Sequence, residues 1–256
     1  MLVDTHCHLD AAEFDADRDQ VALSAHQAGV ACMVVPGVEV ANFPAVQALC
    51  GRFDFCVAAY GIHPMFVMHA QERDIDLLKQ WLEREQAVAV GEIGLDFFVQ
   101  GLDADRQLWF FREQLKLAAE LHLPVILHVR RAVDAVITEL RRHGIKSGIA
   151  HAFNGSRQQA DILMDMGFKL GFGGAMTFDR ALKIRELARS LPLEGIVLET
   201  DAPDISPVWI AGQRNSPQQL PEIAKVLAEL RGIEVDQVIA ATTKNALSVL
   251  PEMHIH

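Results

Sequence analysis

Short apolar runs of five to seven residues alternate with longer amphipathic stretches along the whole chain. Apolar runs of this length are typical of buried strands, whereas helical periodicity is typical of helices packed on one face. The predicted strands span 2–8, 30–36, 55–61, 87–92, 124–129, 147–151, 168–172 and 196–200. The predicted helices span 15–28, 40–51, 72–86, 103–122, 131–143, 156–166, 178–190 and 218–231, and a further helix packed outside spans 234–249.

Eight successive strand–helix units predict an α/β protein of the (β/α)₈ barrel class, the TIM barrel. The length of 256 residues is typical of one such barrel, and no linker or shift of composition divides the chain. We therefore expect a single domain over residues 1–256. An open doubly wound sheet is the alternative, because periodicity does not reveal whether a sheet closes on itself.

The composition restricts the kinds of partner that this chain can bind. Its net charge of −11 gives no overall attraction to nucleic acid or to an anionic membrane. Phosphate contacts would therefore come from a local patch or from metal ions. No apolar run is long enough to cross a membrane, and the first residues lack the features of a signal peptide. The four cysteines form no CxxC pair, so we expect reduced thiols and a cytoplasmic protein with no obligate protein partner.

Residues that commonly bind divalent metals recur where the predicted strands end. His6 and His8 are separated by one residue, so strand alternation places both imidazoles on one face. The other members of the set follow four further apolar runs: Glu92, His128, His151 and Asp201. Imidazole and carboxylate are the ligands of zinc sites, and carboxylates also suit magnesium and manganese.

The predicted ligands come from the first, fourth, fifth, sixth and eighth strands. Only a closed ring brings the first and eighth strands beside the same site, so the pattern favours a barrel over an open sheet. Four imidazoles and two carboxylates suffice for one or two divalent ions (Zn, Mg or Mn). One division has His6, His8, Glu92 and Asp201 around the first ion and Glu92, His128 and His151 around the second.

Each of these residues also has an ordinary structural explanation. Glu92 can be salt-bridged at the end of the barrel, and His128 or His151 can be a hydrogen-bonded core histidine. Asp201 can start the turn before Ala-Pro, and Asp96 can cap a helix. Together, however, six ligand-type residues at the carboxyl ends of predicted parallel strands favour an active site, because active sites of barrels lie on that face.

Three further residues are predicted to contact the substrate. His63 ends the third strand, Arg130 shares a strand face with His128, and Arg214 lies in the loop after the eighth strand. The alternatives are a structural turn before Pro64 for His63, a salt bridge for Arg130 and a surface loop for Arg214.

Seven motifs in this chain resemble the TatD family of metal-dependent deoxyribonucleases, which belongs to the amidohydrolase-like superfamily. They are DTHCHL (4–9), GIHP (61–64), GEIGLD (91–96), PVILHVR (124–130), HAFNG (151–155), LETDAP (198–203) and RNSP (214–217). The resemblance covers nearly the whole chain in family order. It implies a TIM barrel that holds one or two divalent ions and hydrolyses phosphodiester bonds in DNA, with the family's metal positions at the six residues named above.

The chain departs from the family pattern beside these motifs. Phe97 and Phe98 replace the usual aromatic hydroxyl, Ala152 replaces a common Cys, and Asp204 replaces an aromatic residue. These changes leave the metal positions intact. They bear on the substrate, because an acid near the mouth of the site would repel phosphates.

The sequence therefore predicts a metal-dependent hydrolase, a deoxyribonuclease above all, in which Asp201 accepts the proton of the attacking water. The same site acting on a small phosphoester, an amide or a lactone is the first alternative. A non-enzymatic metal or nucleic-acid binding protein is the second, but the chain has one Tyr and no long basic cluster.

Overall fold

The protein is described by a computed structural model that covers residues 1–254. Each predicted strand is present, although four of the eight are shorter than expected. They are β1 (Leu2–Asp4), β2 (Val30–Pro36), β3 (Cys56–Ala59), β4 (Val90–Asp96), β5 (Val125–Arg130), β6 (Gly148–Ala150), β7 (Phe168–Phe172) and β8 (Ile196–Leu198). Strands that follow one another in the chain pair in parallel. Their ladders form two groups, β1-β2-β3 and β4-β5-β6-β7-β8.

Backbone contacts join these two groups of strands into a closed ring. Between β3 and β4, Tyr60 and Val90 form a parallel bridge, and the Gly91 N–H donates to the Tyr60 carbonyl at 2.9 Å. On the other side, the Thr5 N–H donates to the Leu198 carbonyl at 3.1 Å, just beyond β1 and at the end of β8. The predicted barrel is confirmed, and the open-sheet alternative is wrong because the first and last strands meet.

Of the strand boundaries that differ from the prediction, those of β1 and β4 affect the placement of predicted ligands most. β1 ends at Asp4 rather than at residue 8, because beyond Asp4 the backbone bonds alternately to β8 and to β2 instead of following one ladder. β4 begins at Val90 and continues to Asp96, with an irregular register between Val90 and Ile93. Glu92 therefore lies inside a strand, at its irregularity, and not at a strand end.

All nine predicted helices occur within residues 1–254, each within a few residues of its expected bounds. They are α1 (Arg18–Gln27), α2 (Phe43–Arg52), α3 (Asp74–Arg84), α4 (Ala104–Leu121), α5 (Val133–His143), α6 (Arg157–Asp165), α7 (Leu182–Ser190), α8 (Leu220–Arg231) and α9 (Val235–Val249). Side-chain caps fix two of the starts: Asp103 accepts from the Arg106 N–H before α4, and Ser156 forms a capping box with Gln159 before α6. Along the part of the chain that the structure describes, none of the helices has the length and apolar character of a membrane span.

The core has two parts, separated by the wall of strands. One packs the outer faces of the strands against the helices and includes Leu127 and Leu170. The other fills the inside of the barrel with alternate strand residues such as Val34 and Ile126. The last turns of α9 pack against this inner cluster through Val249, so α9 closes the bottom of the barrel. The side chains at the carboxyl ends of the strands lie above this apolar layer.

Candidate metal centre

The alternation of strand residues carries the inner apolar cluster directly into a polar cluster above it. Ile126 faces the inside of the barrel, and His128 lies two residues further along β5. Likewise, His151 follows Ile149 after two residues at the end of β6. The same spacing leads from Val197 of β8 through Glu199 to Asp201. His128, His151 and Glu199 thus stand one layer above an apolar residue of the same segment, and Asp201 stands one layer above Glu199.

The carboxylate of Glu92 lies at the centre of five imidazoles. Its side chain is 2% exposed, and each of five histidine nitrogens lies 3.0–3.4 Å from one of its oxygens. Burial alone would raise the pKa of Glu92, but the surrounding histidines outweigh it and hold the pKa well below its usual range. Glu92 is therefore a buried anion among nitrogen donors, and such a charge is stable only when it is paired or coordinated.

The two oxygens of Glu92 divide the imidazoles into two sets. Oε2 faces His6 Nε2 at 3.1 Å and His8 Nε2 at 3.4 Å. Oε1 faces the nitrogens of three other rings, which belong to His63, His128 and His151. Asp201 stands with the first set, its Oδ1 3.7 Å from His6 Nε2 and 3.8 Å from His8 Nε2. All six predicted ligands are thus brought together, and His63 lies with them.

The donor set fits divalent metal ions. Three groups of residues each bring their ligand atoms within 4.8 Å of one another: His6, Glu92 and His151; His6, His8 and Asp201; and His63, Glu92 and His128. His6 Nε2 and His8 Nε2 lie only 3.2 Å apart while both face the same carboxylate. Imidazole lone pairs and carboxylate oxygens that converge in this way are the donors of zinc sites and of the related transition metals.

His63 and His128 present different tautomers toward Glu92. The Met65 N–H donates to His63 Nδ1 at 3.2 Å, so the proton of a neutral His63 lies on Nε2, the nitrogen near Glu92. A neutral His128 is the reverse: its Nε2 lies 3.0 Å from the Asp96 carboxylate and carries the proton there, so the lone pair is on Nδ1, the nitrogen near Glu92. A metal ligand needs that lone pair. His128 therefore meets this requirement, while His63 offers a hydrogen-bond donor.

Asp96 contacts three neighbours with its two oxygens. Oδ1 accepts from the N–H groups of Phe98 and Val99, and Oδ2 holds His128. Burial would raise the pKa of Asp96, but these hydrogen bonds lower it more, so the carboxylate stays ionised. The sequence suggested only a helix cap here. The contact with His128 follows from the pairing of β4 with β5, which brings the end of one strand beside the other.

A second buried acid orients the backbone of the first strand's histidines. Asp4 is fully buried; its Oδ1 accepts from the N–H groups of His6 and Thr200, and its Oδ2 accepts from the Thr200 hydroxyl at 2.6 Å. Burial raises the pKa of Asp4 to about 7. Because Thr200 precedes Asp201, one side chain links the segments that carry His6 and Asp201.

Backbone conformation is unusual where three of the site's strands end. Arg131, Ala152 and Asp201 have φ values of 54°, 43° and 55°, in the left-handed region that residues with a Cβ rarely adopt. The Asp201 N–H donates to the His6 carbonyl at 2.9 Å, which holds this conformation.

Burial raises the pKa of Asp201 to about 6, so its carboxylate is more basic than an exposed one.

The cluster forms the floor of a cavity of about 860 Å³ at the carboxyl end of the barrel. Arg130 and His63 line this cavity, as expected for residues that contact a substrate. Four acids also line it: Asp10, Glu13, Glu39 and Asp204. Asp204 therefore lies near the mouth, as expected. The four acids follow the neighbouring strands β8, β1 and β2, so they form one wall of the cavity.

Arg214 is not among the residues that line this cavity. Its guanidinium donates two hydrogen bonds to Asp17, at 2.6 and 2.9 Å, and stacks over the ring of Phe14. These contacts hold the loop after β8 against the segment before α1. Because its charge is already paired away from the cluster, we leave Arg214 out of the site.

Two acids beside the ligands were not among the predicted site residues. Glu199 is buried, and its Oε1 accepts from the Ala152 N–H and lies 3.6 Å from His151 Nδ1. Asp10 accepts a hydrogen bond from Asn42 at 2.7 Å at the edge of the cavity. The signal for Glu199 was its position two residues before Asp201 in an apolar strand, where a charge needs a partner.

Comparison with known proteins gives matches over almost the whole chain. The model of the family described as TatD related DNase matches residues 3–251. The uncharacterized metal-dependent hydrolase YjjV of Escherichia coli K12 is 42% identical over 251 residues, which are 97% of each chain. The crystal structure of this TatD homologue superposes with a TM-score of 0.94 at 41% identity over 98% of each chain. The 3'-5' ssDNA/RNA exonuclease TatD of Erwinia amylovora is 32% identical over 253 residues, covering 96% of this chain and 98% of that protein.

Proposed function

This chain belongs to the family of TatD-related DNases, and from that premise we propose that it is a divalent-metal-dependent phosphodiesterase that cleaves DNA. The observation that carries the proposal is the set of five imidazoles around the buried Glu92 carboxylate, with Asp201 beside it, at the floor of an open cavity. We further propose that residues 1–256 act as one hydrolase domain, because every ligand-bearing segment from His6 to Asp201 contributes to the same cluster.

Six residues would hold the metal. His6 and His8 face one oxygen of Glu92, with Asp201 beside them, and His128 and His151 face the other, so Glu92 offers one oxygen to each set. A divalent ion bound there would polarise a phosphoryl oxygen and lower the pKa of a bound water. Zinc, manganese and magnesium all accept such a mixture of ligands, with zinc favoured by the number of imidazoles.

The chain's own residues complete the chemistry. Asp201 accepts the proton of the attacking water at its carboxylate, whose basicity is increased by burial, and can return it to the leaving oxygen. His63 donates a hydrogen bond from Nε2 to the substrate, because its Nδ1 already accepts from the Met65 N–H. Arg130, exposed at the rim, supplies positive charge to the non-bridging phosphate oxygens.

A second candidate substrate has a specific observation in its favour. Asp10, Glu13, Glu39 and Asp204 line one wall of the cavity and would repel a polyanion. A small phosphoester, an amide or a lactone would avoid this repulsion and could be hydrolysed by the same residues. The DNA proposal requires that the polymer leave the cavity by another wall.

One activity panel tests both candidates. The purified protein is loaded separately with Mg²⁺, Mn²⁺ and Zn²⁺ and assayed on single-stranded DNA, duplex DNA, RNA, bis(p-nitrophenyl) phosphate and a lactone. We expect metal-dependent cleavage of DNA that Glu92→Gln abolishes and that Glu222→Gln, an exposed glutamate on α8, leaves intact. Lactone hydrolysis without DNA cleavage would favour the second candidate, and inactivity on all substrates with every metal would contradict both.

A further inference from the structure

A second cavity, of about 680 Å³, opens beside the cavity of the metal centre. Val129, Arg130 and Asn154 line both, so the two are continuous at the carboxyl ends of β5 and β6. Its volume lies within the range of ligand pockets, roughly 300–1,000 Å³. We call this second cavity the side groove; it is bounded by the loops that carry Phe98, Arg131 and Asn154 and by the start of α7.

The side groove is positively charged, in contrast to the rest of the chain. Arg130, Arg131 and Lys183 are exposed and line it, and Asp134 is the one acid among its described lining residues. Asp134 is itself engaged by the side chain of Gln159 at 2.8 Å. The opposite wall of the metal cavity carries four acids, and the whole chain carries a charge of −11. A polyanion held at the metal centre is therefore repelled on one side and attracted into the side groove on the other.

Flat surfaces for stacking lie beside these charges. Phe98 is 43% exposed, and the guanidinium carbons of Arg130 and Arg131 lie 3.8 and 4.5 Å from the centroid of its ring. Unpaired bases stack on aromatic rings and on arginine planes. Arg131 also has a left-handed backbone, with φ 54°, and such strained residues cluster at functional sites.

We propose that the side groove is a subsite for single-stranded nucleic acid, which holds the nucleotides adjacent to the bond cleaved at the metal centre. Arg131 and Lys183 bind the backbone phosphates, and a base stacks against the layer that the Phe98 ring forms with the Arg130 guanidinium. A duplex keeps its bases inside the helix and cannot offer that face, so the groove selects unpaired strands. This inference rests on the proposed phosphodiesterase function.

Two substrates separate the subsite from the chemistry. Bis(p-nitrophenyl) phosphate has one phosphodiester and reaches only the metal centre, whereas a labelled thymidine hexanucleotide also extends into the side groove. The variants are Phe98→Ala and the double variant Arg131→Gln/Lys183→Gln. The matched control is Arg141→Gln/Lys146→Gln, which removes the same charge from exposed positions near the opposite end of α5.

For the hexanucleotide we expect Phe98→Ala to lower kcat/KM by about tenfold, the effect of losing one stacked base. We expect the double variant to lower kcat/KM and to reduce the log–log salt slope by roughly 0.7 for each phosphate that the protein no longer neutralises. All three variants should hydrolyse bis(p-nitrophenyl) phosphate at the rate of the unmodified protein. Circular dichroism melting curves establish that each variant folds.

The outcomes distinguish the subsite from the function. Equal losses on both substrates, or no loss on the hexanucleotide, would overturn the subsite while leaving the phosphodiesterase in place. Hydrolysis of neither substrate by the unmodified protein would overturn the proposed function instead. In that case fluorescence anisotropy with the hexanucleotide decides the subsite: binding that the double variant loses and the control keeps supports it, and absence of binding refutes it.

Discussion

Replacing Asp96 by Asn should weaken metal binding although Asp96 is not one of the proposed ligands. Asp96 Oδ2 lies 3.0 Å from His128 Nε2 and keeps the proton on that nitrogen, so that the lone pair of Nδ1 faces Glu92 at 3.2 Å. In the variant the amide oxygen can still accept from Phe98 and Val99, which leaves the NH₂ group toward His128. Because an NH₂ group only donates, His128 Nε2 must become an acceptor and its proton must move to Nδ1.

The size of the effect follows from the role of the carboxylate that is removed. Groups that fix the tautomer of a ligating histidine typically contribute about 10- to 100-fold to metal affinity or activity. At about 1.4 kcal/mol for each factor of ten, this corresponds to roughly 1.4–2.8 kcal/mol. We therefore expect Asp96→Asn to bind its more weakly held ion 10 to 100 times less tightly, at about the same thermal stability, since both backbone caps are kept.

Equilibrium dialysis against graded Mn²⁺ or Zn²⁺, followed by elemental analysis, measures this affinity for each variant. Asp103→Asn is the matched control, because it removes the same charge from the same segment while Asn remains a good N-cap for α4. Asp96→Asn with the affinity and turnover of the unmodified protein would refute the reasoning. It would mean that His128 is not a ligand through Nδ1, or that Asp96 does not set its tautomer.

Three further predictions address the ligands, the base and the polymer. The protein should carry one to two divalent ions per chain. His6→Ala and His128→Ala should lower this metal content without unfolding the barrel, whereas His63→Ala should keep it. Elemental analysis that finds no metal under any loading condition would contradict the site. Asp201→Asn should stay folded, keep most of its metal and lose roughly 10²–10⁴-fold in turnover, the usual contribution of positioned proton transfer. Glu92→Gln should instead lose metal. Full activity in Asp201→Asn would assign the base to another residue. The binding constant for single-stranded oligonucleotides should fall only shallowly with salt concentration, with a log–log slope of roughly −0.7 for each neutralised phosphate. Frayed or single-stranded ends should be preferred. A steep slope in a salt titration would show many more phosphate contacts than the side groove offers.

The barrel and the cluster of ligand-type residues could be predicted from sequence because both depend on periodicity. Strand alternation fixes which residues face inward, so His128 two residues after Ile126 and His151 two residues after Ile149 follow from the spacing. The placement of His6 beside Asp201 follows from closure of the ring, once eight strands are recognised. Glu92 is different. It faces the cluster from an irregularity inside β4, and its apparent position at a strand end came from the glycines around it.

β4 also approaches β5 more closely than the sequence revealed. Gly94 of β4 has φ 147°, and a Cβ added there would collide with the carbonyl oxygen of His128 on β5. A side chain at position 94 would push the two strands apart. The glycine of this segment therefore sets the separation of the strands that carry Glu92 and His128, and only then can Glu92 reach imidazoles from both sides of the barrel.

The roles of individual histidines could not be predicted, because they depend on the atom behind each ring rather than on the residue type. His63 and His128 have ring centroids 4.4 Å apart, and both face the same oxygen of Glu92. A backbone N–H behind His63 makes its inner nitrogen a donor, and a carboxylate behind His128 makes its inner nitrogen an acceptor. Exchange of these two partners would exchange the two functions without any change in the histidines. The chemistry open to these histidines is therefore set by Asp96 and by the turn at Met65 as much as by the imidazoles themselves.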